Sequence, residues 1–399
     1  MILTEKYILP YSKELDELTF KTKNLYNKAN YIIRQEFIET GKYYSRFEMC
    51  SICKDIEEYK CIKSTRVARS VIRMLDANWK SFFSCIKKWK ENKSLFQGRP
   101  NLPKYLDKNG RFTAIFFGSS ILIKNKNGEI GLTQTDIRIK PQTNGKLIEI
   151  QLVSLKNKKF KLCIAYDYKE KELQKINERY CSIDLGLNNL MTLTSNVGIT
   201  PKIINGRPLK SINQYYNKLK SKYQSELPNN IFSSFKINNL TQKRNLKIDD
   251  YLHNSSKYLI NYCLENNLNT IVIGHNDLWK QDINLGKKNN QNFINIPFDK
   301  LTWMIEYKCK MNGINLIKQE ESYTSICSSV DLEEIKKHNE YKGKRIKRGL
   351  FKTSENKLIN SDVNGSLNIL RKAVPNVIFT NRIEDCAVNP ERIKSFEHK

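Results

Sequence analysis

The chain has 399 residues, with 69 Lys plus Arg against 41 Asp plus Glu, a formal charge of +28 and a pI near 9.6. Hydrophobic residues make up 39%, enough for real cores in two or three domains, which excludes a disordered tail protein. So large a positive excess repels itself in a compact state unless a polyanion neutralises it, which points to nucleic acid or an anionic membrane. No apolar run approaches the roughly 18 residues of a membrane span, and the first ten residues are not a basic-then-apolar signal peptide. A cytosolic nucleic-acid binder is the expectation, with no membrane partner. The ten cysteines (50, 53, 61, 85, 163, 181, 263, 309, 327, 386) lack framework spacing and read as reduced thiols. Cys50 and Cys53 have half the spacing of a zinc site and no second pair to complete four ligands.

Residues 1–10 read as one strand stopped by Pro10. From residue 12 to 93 the apolar period is helical, and Val67, Val71, Leu75, Trp79, Phe82, Ile86 and Trp89 form a core stripe. Around that stripe stand Arg66, Arg69, Arg73, Lys80, Lys87, Lys88 and Lys90. Few acids balance them, which favours phosphate contact over a merely solvated face. Residues 96–105 form a Gly/Pro-punctuated linker carrying Arg99 and Lys104. From 112 to 168, short alternating runs between Gly, Asn and Lys turns predict an antiparallel barrel, completed by the strand at 2–9.

A charged connector at 171–178 leads to the stretch 179–195, where Ile183-Asp184 is followed by Gly186 and an apolar run at 190–193. This is a strand, a tight glycine turn and a returning strand, with one carboxylate beside the turn. An acid in a buried strand is costly unless something pairs with it. A divalent metal is one such partner, and hard oxygen ligands suit magnesium. Residues 209–225 and 240–266 are helical in period, and 270–274 is a β-branched run suited to a buried parallel strand. Pro297 opens a helix that runs to Gly313, a last strand spans 314–317, and a closing helix spans 362–372. That closing helix begins Asn360-Ser361-Asp362-Val363-Asn364-Gly365 and brings a second carboxylate.

Together the Asp184 and Asp362 pieces resemble the split catalytic motifs of a RuvC-like nuclease domain. Their wording is similar to that of the TnpB (OrfB) proteins of bacterial insertion sequences, which share ancestry with the type V CRISPR nucleases. The resemblance covers nearly the whole chain. It implies an α+β multidomain fold: a β-barrel wedge domain from residues 1–10 and 96–170, and a helical recognition lobe at 11–95 inserted into it. An RNase H-like (RuvC) α/β nuclease domain follows at 178–375, with a degenerate zinc-knuckle insert at about 326–358 and a surface tail at 376–399. The resemblance also implies a guide RNA from the transposon end and double-stranded target DNA read beside a short transposon-adjacent motif. Sequence reading would be delegated to base pairing. Cleavage would use Mg2+, with two ions roughly 3.5–4 Å apart held by about three carboxylates.

The chain departs from the family wording in two places. The usual glutamate after the strand at 270–274 is missing: Gly274 stands there, followed by His275, Asn276 and Asp277. A replacement follows the next strand, whose end should lie about 4.8 Å away. Some relatives look rearranged in this way, with the acid three residues before the Thr-Ser pair. Glu321 has that offset to Thr324 and is chosen over Glu320, so Asp184, Glu321 and Asp362 are the candidate catalytic and metal-binding residues. Asp277 is a weaker candidate ligand. Zinc is not expected, because Cys327 has Val330 where a partner cysteine should be and His338 is a lone histidine.

Residues 341–349 carry five positive charges, Lys344, Arg345 and Arg348 among them, suited to a nucleic-acid backbone. Lys280, Lys287 and Lys288 in the polar loop before Phe293 can reach sugar or phosphate groups. The leading function is an RNA-guided DNA endonuclease. The alternative is a nuclease-inactive RNA-guided DNA-binding repressor, for which Gly274 is the argument. A tyrosine-type transposase needs a His-hydrophobic-His pair, which the histidines at 253, 275, 338 and 398 never form.

Overall fold

The structure is a computed structural model that describes all residues except 125–127, 143–144, 276–295, 348, 381–386, 394–395 and 397–399. Contacts divide the chain into two units, Met1–Lys169 and Glu170–Lys399. Elements are numbered below among the described residues.

In the first unit, strand β1 (Ile2–Leu9) precedes helix α1 (Lys13–Thr40). The Ser12 side chain caps α1 by accepting from the Leu15 N–H, and Gly41 ends it in the left-handed region, with φ 73°. Helix α2 (Arg46–Cys53) opens on a Ser45/Glu48 capping box, and α3 (Glu57–Lys60) and α4 (Thr65–Glu91) follow. Helix α4 buries Val67, Val71, Leu75 and Trp79 from the predicted stripe. Trp79 is fully buried among the rings of Phe37, Tyr43, Phe82 and Phe83, and its Nε1 donates to Asn30 Oδ1 at 3.0 Å.

The strands of this unit are β2 (Ala114–Phe116), β3 (Ile121–Lys124), β4 (Glu129–Leu132), β5 (Arg138–Ile139), β6 (Lys146–Ser154) and β7 (Phe160–Asp167). They form two antiparallel sheets, ordered β1-β7-β6-β2 and β3-β4-β5. The closed barrel expected from the sequence is absent among the described residues, where both sheets are open. Phe116, Ile150 and Leu162 from the larger sheet share one core with Leu25, Leu75 and Trp79 from the helices. Helices thus cover the apolar face that a barrel would cover by closing on itself.

The second unit is a mixed α/β layer structure built on strands β8 (Tyr180–Leu185), β9 (Asn189–Ser195), β10 (Lys202–Asn205), β11 (Thr270–Gly274) and β12 (Asn315–Gln319). Its helices are α5 (Arg207–Ser225), α6 (Phe235–Glu265), α7 (Phe298–Asn312) and α8 (Ser361–Ala373). A small sheet of β13 (Lys344–Lys347), β14 (Leu350–Lys352) and β15 (Leu358–Asn360) precedes α8, and β16 (Glu391–Ile393) comes last.

The main sheet runs β12-β11-β8-β9-β10-β16. Strand β11 pairs parallel with both β12 and β8, while β8, β9 and β10 pair antiparallel in turn. Along β11 the side chains alternate between faces. Ile271 and Ile273 join the core with α6 and α7, whereas Val272 meets Ile369 and Leu370 of α8. Residues 391–393, expected in a surface tail, instead add a parallel edge strand to β10, and Ile393 packs on the core. Three residues are too few to show a period of two, so that strand left no pattern in the sequence. No helix among the described residues is long and apolar enough to cross a membrane.

Replacing Trp79 with alanine removes the largest buried ring of the first unit and the partner of Asn30. The expected cost is about 3–5 kcal/mol. It would be read as an earlier thermal transition of the full chain and a lower urea midpoint, and an unchanged melt would contradict this account of the core.

Candidate active site

Asp184 is the last residue but one of β8, opposite Thr192 of β9. The chain then turns at Gly186, where a Cβ would stand 2.7 Å from the Asn189 carbonyl oxygen, so the hairpin needs glycine there. Helix α8 lies across this end of the sheet. The Asn360 side chain accepts from the N–H groups of Asp362 and Val363, which sets Asp362 in the first helical turn. The helix dipole favours a carboxylate at that position. At Gly365 a Cβ would come within 3.1 Å of Asp184 Oδ2, so only glycine leaves that carboxylate ordinary room. One residue on, Ser366 Oγ meets Thr194 Oγ1 at 2.9 Å and Ser182 Oγ at 3.2 Å, and those two hydroxyls lie 2.6 Å apart. All three are buried, and each would be costly to leave unpaired. They therefore fix the register of α8 on β8 and β9.

Glu321 arrives from the neighbouring strand. Gln319 ends β12 opposite Gly274, and the His275 N–H donates to the Gln319 carbonyl at 2.8 Å. Two residues later Glu321 turns in over Gly274. A Cβ at 274 would lie 2.5 Å from Glu321 Oε2 and 2.7 Å from Ile369 Cδ1. The Glu321 carboxylate thus occupies the space that a side chain on β11 would enter. Glu320 is exposed instead, paired with Lys372 at 2.6 Å, an ion pair that holds its carboxyl below the usual range. The loop after Glu321 is tied to α8: Asn368 Nδ2 donates to the carbonyls of Thr324 (2.9 Å) and Cys327 (2.7 Å), and Asn364 Nδ2 to Cys327 (2.8 Å).

Burial, then the charges of Asp362 and Glu321, push the Asp184 carboxyl well above the ordinary range, and the Arg345 guanidinium only partly opposes them. Burial, then the charge of Glu320, also raises Glu321. Arg345, on β13, stands 3.8 Å from Asp362 Oδ1. On the other side, Asn189 Nδ2 donates to Asp362 Oδ2 at 2.5 Å, and Arg392 of β16 donates to Asn189 Oδ1 at 3.0 Å. Arginine can only donate, so its bond fixes which end of the amide faces Asp362. The three acids offer hard oxygen donors with excess negative charge, a chemistry that fits a divalent cation such as Mg2+. As placed, no three His, Cys, Asp or Glu side chains among the described residues converge closely enough to ligate one ion.

The candidate nucleic-acid residues are spread more widely. Arg66 and Arg69 are exposed, with Arg66 over the Phe117 ring and bonded to Ser119 Oγ. Arg73 is held by Glu149 at 2.7 Å. Arg99, Lys104 and Lys344 are exposed. Lys280, Lys287, Lys288 and Arg348, like Asp277 and Phe293, lie outside the described residues.

Comparison with known proteins bears on the same segments. The OrfB_IS605 family pattern, described as a probable transposase, matches residues 163–279, and the pattern described as "Cas12f1-like, TNB domain" matches 298–369. A TnpB-like protein of Acidianus two-tailed virus is 24% identical over 412 residues, covering 92% of this chain and 84% of the viral protein. Over most of its length the chain is thus similar to a TnpB-like protein. A TnpB-like protein of Methanocaldococcus jannaschii is 31% identical over 122 residues, covering 29% of this chain and 42% of that protein. Among solved structures, a Cas12f1-sgRNA-target DNA complex aligns over 94% of this chain and 99% of that chain, with TM-score 0.40 and 16% identity. A CasPhi-2 (Cas12j) complex with crRNA and phosphorothioate DNA aligns over 95% and 93%, with TM-score 0.44 and 8% identity.

Asp184 falls in the first matched span, and Glu321 and Asp362 in the second. Sequence reasoning missed four residues that shape the site: Asn189, Gly365, Ser366 and Arg392. Two had a signal, since Asp362, Gly365, Ser366 and Ile369 share one helical face at steps of three and four. Arg392 had none, because its role depends on a strand pairing with distant β10.

Folding raises the proton affinity of Asp184, so the unfolded chain binds fewer protons above its own carboxylate pKa. Stability therefore falls as pH rises through the folded pKa and stays lower beyond it. Asp184→Asn removes that cost. The variant should melt above the parent near pH 8, by about 2–4 °C for each kcal/mol recovered. The gain should fade towards about pH 4, where the unfolded carboxyl also takes up its proton. Calorimetry across that range checks this, and a variant that melts lower at pH 8 would refute it.

Proposed function

We propose that this chain is a TnpB-family RNA-guided DNA endonuclease encoded by an insertion sequence. It would cut target DNA beside a short transposon-adjacent motif, by metal-dependent phosphodiester hydrolysis in a RuvC-like domain within its second unit. The observation that carries this reading is the fit of Glu321 over Gly274, with Oε2 2.5 Å from where a Cβ would stand. An acid delivered from β12 takes the space that a side chain on β11 would enter, beside Asp184, whose carboxyl is pushed up by burial and then by the charge of Asp362. The same fit weighs against the repressor reading, whose argument was the loss of an acid at 274.

Asp184, Glu321 and Asp362 would hold Mg2+, which when bound supplies an activated water and stabilises the leaving oxygen. The residues of the chain do the rest. Asn189, oriented by Arg392, holds Asp362 Oδ2, while Arg345 stands at Oδ1. A phosphate entering the site would meet that exposed guanidinium, which can bond two of its oxygens at once. The Asn364 and Asn368 amides hold the loop that carries Glu321 against α8. The formal charge of +28 suits a guide RNA from the transposon end and double-stranded target DNA as partners, and makes binding steeply salt-dependent.

Co-expression with flanking element DNA, purification of the ribonucleoprotein and a plasmid library with randomised flanks test the reading. Cutting in Mg2+ is expected and should vanish in Asp184→Ala and Glu321→Ala while surviving Glu320→Ala. Target binding without cutting would favour the repressor, and failure to retain RNA would sink the RNA-guided reading. A swap tests the relocated acid more sharply. Gly274→Glu alone should abolish cutting by crowding Glu321 and Ile369. Adding Glu321→Gly and Ile369→Val clears that space and should restore part of it; a swap as dead as Glu321→Ala would argue against the shared position.

A further inference from the structure

Helices α5 and α6 form a hairpin that the proposed chemistry does not use, and its composition is lopsided. Residues 207–247 contain nine Lys or Arg and a single acid, Glu226. Large rings stand out on the same hairpin: Tyr215 is 64% exposed, Phe232 77% and Phe235 54%. Exposed rings clustered in this way mark a binding surface more often than a scattered apolar residue does. Between the helices lies a cleft of about 730 Å³, whose walls include Tyr215, Tyr216, Tyr223, Phe235, Lys243 and Lys247. Rings and cations interleave there, with Lys236 5.9 Å from the Tyr223 ring and Arg244 5.6 Å from that of Tyr216. The Arg244 guanidinium is steadied by the amide oxygens of Asn213 (2.8 Å) and Asn245 (3.0 Å).

We infer that this cleft binds an unpaired stretch of RNA, with bases on the tyrosine and phenylalanine faces and phosphates on the lysines. Each part of that assignment has a separate reason. The charge calls for a polyanion. The rings call for one with free planar faces, because base-on-ring stacking needs bases that are not already stacked within a duplex. A purely acidic peptide would use the lysines and leave the rings uncovered. Ribose is favoured over deoxyribose because the exposed Ser211 in the cleft wall offers a hydroxyl to a 2′-OH. The inference rests on the proposed function only for the source of the RNA.

Two measurements test it. In the purified ribonucleoprotein, ultraviolet cross-linking with peptide mapping should place RNA adducts on Tyr215, Tyr223 or Phe235. Separately, fluorescence anisotropy with a short labelled oligouridine and the RNA-free full chain should show about tenfold weaker binding for Tyr215→Ala/Phe235→Ala. The conservative pair Tyr215→Phe/Phe235→Tyr should bind like the parent. Lys243→Ala/Lys247→Ala should flatten the dependence of log affinity on log salt by about 0.7 per lost phosphate contact. Both rings point outward, so their truncation leaves the core filled. Unchanged oligouridine binding in the alanine pair overturns the inference. So does equal binding of the deoxy oligomer with equal loss, or adducts elsewhere on the protein with none on this hairpin. If the parent retains no RNA on purification, the proposed function fails while the oligouridine measurement still judges the cleft.

Discussion

The second unit depends on how α8 lies on the sheet. Ser366 reaches Ser182 and Thr194, Gly365 leaves room for Asp184, and Asn364 and Asn368 hold the loop that follows Glu321. One short helix thereby sets three acids from distant segments: it carries one, clears space for the second and anchors the loop of the third. Buried hydroxyls suit this task. Apolar contacts tolerate sliding along a helix, whereas a hydroxyl moved off its partner leaves an unpaired polar atom in the interior.

The same placement makes the site costly to the fold. Asp184 is crowded by Asp362 and Glu321 in a poorly solvated position, and Arg345 stands against them. Like charges held together out of water favour either a proton or a cation, and the protein carries that penalty in its own stability. Support comes from both sides of Asp362. Arg345 arrives on the β13 strand before the helix, and the Asn189–Arg392 pair arrives from the hairpin and the last strand.

Gly274 and Glu321 depend on each other in the same steric sense. A side chain at 274 would collide with Glu321 and Ile369, so a glutamate can reach this place from β12 only while β11 offers none. Read along the chain, Gly274 looks like a loss. Across the sheet it is the space that the neighbouring strand uses. The first unit teaches a related lesson, because its alternating strands have the apolar face of a barrel, yet helices α1 and α4 supply the cover.

The sequence by itself determined the elements whose signal is local. The β8–β9 hairpin follows from alternation around a glycine turn, β11 from its β-branched run, and α4 from its stripe through Trp79. It also singled out Asp184, Asp362 and the Glu320–Glu321 pair, since acids beside buried strands and at a helix start stand out against their neighbours. The offset to Thr324 already favoured Glu321 over Glu320, but the physical reason is tertiary: Lys372, more than fifty residues further on, holds Glu320 at the surface. Only the tertiary structure decided that the strands of the first unit stay open and that residues 391–393 join the main sheet to bring Arg392 to Asn189. Periodicity reports which face of an element is apolar. What covers that face, and which polar atom finds a partner across it, is set by groups far away in the chain, and no local pattern records them.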